Sequence, residues 1–66
     1  MSKLLKLKTV LNLTCLSRSQ TYLLVQQGKF PKPLKLSERS SAWVEQEVSD
    51  WINQRIEARN QQKGGI

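Results

Sequence analysis

The sequence predicts a small α+β fold that is mostly α: two short helices, a β-hairpin and a longer closing helix. Three observations predict it. Apolar residues recur at helical spacing in three separate stretches, a helix-capping signature opens the second of them, and two prolines followed by an apolar–basic alternation interrupt the helical pattern between the second and the third. At 66 residues the chain is one domain with a small core, since a chain this short buries only roughly 60% of the surface its unfolded form exposes.

Residues 1 to 6 read as a short tail leading into a strand or a first helical turn, with Leu4 and Leu5 as its apolar contribution. Leu7, Val10 and Leu11 fall at i, i+3 and i+4 and predict a helix over 7–13; Thr14 and Cys15 break the pattern, and a turn is expected from Leu13 to Leu16. The second helix is expected over Arg18 to Gln27. Ser17 and Gln20 form the S-x-x-Q capping box, Gly28 suits the left-handed position just past the end, and Thr21, Leu24 and Val25 make one apolar face opposite Arg18, Ser19, Tyr22 and Gln26. Phe30-Pro31-Lys32-Pro33 cannot be helical. Leu34-Lys35-Leu36 alternates like a strand, Ser37 to Ser40 is turn-like, and Ser41 to Val44 returns as the second strand. Val44, Val48, Trp51, Ile52 and Ile56 form the stripe of an amphipathic helix, with Glu45, Glu47 and Asp50 near its start and Arg55 and Arg59 near its end, as the helix dipole favours. Residues 61–66 read as a flexible tail, which leaves 1–60 as the domain.

The charge is lopsided. Eleven Lys and Arg against five Asp and Glu give +6, with a pI near 10.0. Residues 1–37 carry seven basic residues and no acid, and the remainder carries four basic residues against all five acids, so the two parts hold +7 and −1. Such an asymmetry points to a polyanionic partner. Other chemistry is excluded by composition. Cys15 is the single cysteine and there is no histidine, so neither a disulfide, nor a zinc site, nor a hydrolytic triad is expected, and no cofactor or metal is called for. Cys15 itself is expected to be a small, partly buried side chain. The longest apolar run, Tyr22 to Val25, is four residues, against about 18 for a membrane span, and no signal peptide is visible. The expectation is a cytoplasmic, non-enzymatic domain with no membrane partner.

The order of elements is that of a small winged helix-turn-helix, with the second helix as recognition helix and the hairpin, about 34–43, as wing. The runs Leu16-Ser17-Arg18-Ser19-Gln20-Thr21-Tyr22, Gly28-Lys29-Phe30-Pro31-Lys32-Pro33, Lys35-Leu36-Ser37-Glu38-Arg39 and Trp43-Val44-Glu45 through Val48 to Trp51 resemble the AlpA family, small phage and prophage regulators related to excisionases and to MerR-type DNA-binding domains. The resemblance covers roughly residues 5 to 59. It implies a winged helix-turn-helix that binds double-stranded DNA at or near integrated elements, activating an integrase gene or acting as an excision factor. This chain departs from the family pattern where Cys15 replaces a usual glycine, Gln20 and Thr21 a threonine and a branched apolar residue, Leu23 a common basic residue, and Ser41 an apolar one.

The candidate DNA-binding residues follow from these placements. Arg18, at the start of the recognition helix, suits guanine O6 and N7 in the major groove. Ser17 caps the helix and can also meet a phosphate. Ser19 lies on the open face, Gln20 suits adenine while sharing the capping role, and Tyr22 is expected to pack on Phe30 with its hydroxyl toward a phosphate. Lys29, Lys32 and Lys35 form a phosphate track into the wing, and Arg39 at the wing tip suits a narrow minor groove. Trp43 and Trp51 are read as core. A domain this small reads few base pairs, so an integrase or further copies of the chain on adjacent sites are expected partners. Two other functions compete: a protein-interaction module inhibiting a response regulator or contacting RNA polymerase, and a membrane-active cationic peptide drawing on the Leu and Lys of residues 3–13. The folded pattern of the rest of the chain argues against the latter.

Overall fold

The computed structural model describes residues 3–61. It is a winged helix-turn-helix in the order β1 (Leu4–Leu5), α1 (Leu7–Thr14), α2 (Arg18–Gln26), β2 (Leu34–Ser37), β3 (Ser40–Val44) and α3 (Glu45–Asn60). The sheet order is β1-β3-β2, with both neighbours of β3 antiparallel to it. Leu4 and Leu5 thus form a strand, registered against Val44 and Trp43, and Glu45 N–H donates to the Lys3 carbonyl at 2.7 Å just beyond the pair. This third strand comes from a partner forty residues away, which local pattern does not reveal.

The core gathers where β3 meets the helices. Leu5, Val10, Phe30, Trp43 and Val48 are buried, and Leu7, Leu16, Leu24, Val25, Trp51 and Ile52 pack against them. Trp43 is fully buried, and its indole N–H donates to the Pro31 carbonyl at 2.9 Å. Phe30 meets Trp51 edge-on at 4.9 Å, a favoured aromatic geometry.

Several expected boundaries move. The turn between the first two helices is Cys15–Ser17 rather than Leu13–Leu16, because α1 continues to Thr14, whose Oγ1 donates to the Val10 carbonyl at 2.8 Å and accepts from Leu16 N–H at 3.3 Å. In the wing, Ser37 pairs with Ser40, so the turn narrows to Glu38–Arg39. Val44 ends β3 and stands as the N-cap of α3 instead of opening its apolar stripe. The far end of that stripe, Ile56, is exposed, because α3 outruns the core. The alternating β2 buries neither face: it is an edge strand whose Leu34 and Leu36 are both about half exposed. The expected tail over 61–66 lies outside the described residues from 62 onward, and Gln61 closes α3 through its N–H to the Glu57 carbonyl at 2.9 Å.

Cys15 departs from expectation by being exposed rather than partly buried. It is also left-handed, at φ 63°, where it ends α1 by donating its N–H to the Leu11 carbonyl at 2.8 Å. A side chain in that conformation costs about 1–2 kcal/mol, part of which glycine returns through its freer unfolded state. Cys15→Gly is therefore expected to raise stability by about 0.5–1 kcal/mol, seen as a higher urea midpoint at unchanged slope; an unchanged or lower midpoint would contradict it.

Candidate nucleic-acid interface

The candidate surface is built from α2, the loop after it and the wing. The start of α2 is held by a reciprocal cap: Ser17 Oγ accepts from the Gln20 amide at 3.1 Å and Gln20 Oε1 accepts from the Ser17 amide at 3.2 Å. Such a cap contributes about 1 kcal/mol. Both side chains are exposed, and after capping they keep the hydroxyl hydrogen of Ser17 and the side-chain amide hydrogens of Gln20 for other partners. The inner face of α2 is secured by Thr21, which is fully buried and donates through Oγ1 to the Ser17 carbonyl at 2.9 Å. Leu24 and Val25, on the same face, pack against the core cluster. Arg18, Ser19, Tyr22, Leu23 and Gln26 are left exposed.

The end of α2 sets the direction of the loop. Gly28, at φ 73°, donates to the Val25 carbonyl at 3.1 Å, and Lys29 N–H donates to the Leu24 carbonyl at 2.8 Å. These are the two bonds of a Schellman motif, which needs the left-handed residue that glycine supplies. Two indoles then hold the backbone that follows. Trp51 Nε1 donates to the Lys29 carbonyl at 2.8 Å, and Trp43 Nε1 to that of Pro31. With Phe30 buried between them, the side chains of Lys29 and Lys32 stay at the surface. These anchors are not visible in the sequence, where both tryptophans read only as core and lie well beyond the proline loop.

Tyr22 does not pack on Phe30. Its ring lies against Trp43, with centroids 6.2 Å apart and planes tilted by 58°, while Phe30 meets Trp51. The contact sets that edge of α2 beside β3 of the wing. Lys35 pairs across from Ser41, and Arg39 stands in the two-residue wing turn; both are exposed. The ion pair found among the described residues is Lys3 with Glu45 at 3.9 Å, so Arg18, Lys29, Lys32, Lys35 and Arg39 do not pair with acids there. Glu38, despite its place beside Arg39, does not neutralise it. On the far side of the loop a groove separates Lys29 and Lys32 from Glu47 and Asp50 of α3, which bounds the basic surface with an acidic edge.

A family model described as "Prophage CP4-57 regulatory protein (AlpA)" matches residues 3–56, from the strand β1 through most of α3. The chain belongs to the AlpA family. It is also similar to "Uncharacterized protein ORF88" of Enterobacteria phage P4, at 37% identity over 57 residues, which is 86% of this chain and 65% of that protein. The chain thus spans just under two thirds of the relative's length. The family's description is that of a prophage regulatory protein. No helix among the described residues is long and apolar enough to cross a membrane.

Proposed function

We propose that this AlpA-family protein binds duplex DNA in the cytoplasm, with α2 in the major groove and the β2–β3 wing on the adjacent minor groove, and that residues 1–60 are the DNA-binding domain. The observation that carries the reading is the set of exposed cations, Arg18, Lys29, Lys32, Lys35 and Arg39, on contiguous elements that hold a single acid, Glu38. Arg18 reads a guanine, Ser17 and Tyr22 meet phosphates, Ser19 and Gln20 meet base edges or phosphates, the three lysines follow the backbone, and Arg39 enters the minor groove. The output is control of an integrase gene, excision, or both, with an integrase or further copies on neighbouring sites as partners. The family's description as a prophage regulatory protein supports this output.

Incubating the protein with sheared DNA of its source genome, recovering bound fragments and sequencing them tests the reading. Enrichment of sites beside an attachment site or an integrase promoter is expected; recovery equal to that of scrambled DNA would overturn sequence-specific binding. On a recovered site, Arg18→Ala is expected to weaken binding by about 1–3 kcal/mol and to relax preference at one base pair, measured by fluorescence anisotropy on the site and its single-base variants. Uniform weakening across all variants would reassign Arg18 to phosphate.

A further inference from the structure

Among the exposed side chains of α2, one is wholly aliphatic. Leu23 is 51% exposed. An isolated surface leucine is ordinary; its position is what distinguishes this one. Helical residues two apart point to nearly opposite sides at about 100° per residue, and Leu23 stands two residues from Thr21 and two from Val25, which face the core. It therefore projects outward from the middle of the helix, flanked on the same side by Ser19 and Gln26, one turn before and after it.

The charge around it is segregated. Arg18, the first residue, is the only charged side chain in α2, and the lysines begin at Lys29, beyond the helix. The central outward face is neutral, so it is suited to the floor of a groove, with Arg18 at its start and the phosphate-tracking lysines beyond its end. A leucine there has no donor or acceptor. Set against the polar edge of a base it strips water from groups it cannot satisfy; the one apolar feature of the major groove is the C5-methyl of thymine.

We propose that Leu23 reads the 5-methyl group of a thymine, which makes it a specificity-determining residue of the bound sequence. This rests on the major-groove placement of α2 proposed above. Ser19 and Gln26 supply the polar contacts on either side, and the discrimination at that position is by methyl burial rather than by hydrogen bonding.

Two random duplex libraries test it, one with thymine and one with deoxyuridine at every thymine position, which removes the methyl and keeps the pairing. Selection from the thymine library is expected to give a motif with one strongly preferred thymine, and selection from the uridine library the same motif with that preference lost. Uridine at that position alone is expected to weaken binding about fourfold. Leu23→Ala, at an exposed site, is expected to keep the wild-type melting curve and to select from the thymine library as the wild type does from the uridine library. Identical motifs from both libraries would overturn the proposal, as would a Leu23→Ala variant that still prefers the thymine and still loses affinity on uridine. Failure to enrich any motif from either library would instead remove the DNA reading itself, and this inference with it.

Discussion

Replacing Trp43 with alanine is expected to leave the chain largely unfolded in buffer at 25 °C. The side chain is fully buried in the centre of the core and its indole N–H satisfies the Pro31 carbonyl. Truncating such a tryptophan costs about 3–5 kcal/mol, and a core of this size seldom supplies more than about 3–5 kcal/mol in total. Far-UV circular dichroism with urea titration measures the loss; a variant that unfolds at the wild-type midpoint would show that Trp43 is not the keystone of the core. Trp43→Phe separates packing from the hydrogen bond. It keeps most of the apolar contact but leaves the Pro31 carbonyl without its donor, for an expected cost of about 1–3 kcal/mol. It also leaves Trp51 as the single tryptophan, so indole fluorescence then reports on the loop that Trp51 anchors through Lys29.

The second large effect is electrostatic. Changing Lys29, Lys32 and Lys35 together to glutamine is expected to lower the slope of log affinity against log salt concentration by about 3, near 0.9 for each phosphate that a lysine no longer neutralises. Between 50 and 200 mM salt those three lysines account for roughly a 40-fold fall in wild-type affinity, which the variant would no longer show. All three side chains are exposed, and the Lys29 group that anchors the loop is its backbone carbonyl, which glutamine keeps. The melting curve should therefore stay close to wild type while the salt dependence flattens. Salt titrations by fluorescence anisotropy on one duplex decide the matter: an unchanged slope would remove the lysines from the phosphate track. The sequence preference is expected to survive, since phosphate contacts position a protein without reading bases.

Much of the architecture is legible because it is locally encoded. Ser17 and Gln20 announce a cap whose two bonds lie within four residues, and Gly28 announces a left-handed stop. The prolines forbid helix on both sides of Lys32 whatever surrounds them. The cations of the candidate surface are legible for a similar reason: charged side chains stay at the surface unless paired, and those on α2, the loop and the wing are not paired with acids among the described residues.

Where the sequence misleads, the cause is of the opposite kind. Proximity in the chain matches Tyr22 to Phe30, but aromatic partners are chosen in space, and Trp51, twenty-one residues further on, has the better edge-on approach to Phe30. Residue type alone suggests a partly buried Cys15; the helix end puts it in a left-handed corner facing water. Ile56 has the right spacing for the core but lies beyond it.

By itself the sequence determined the order of the three helices and the hairpin, the cap of the second helix, the basic half and the family resemblance, since each depends on residues within a turn or two of one another or on composition. Only the tertiary structure decided that Leu4 and Leu5 complete the sheet and that two indoles pin the lysine loop by its carbonyls. Those depend on which distant surfaces meet, and a pattern read along one dimension carries no term for that.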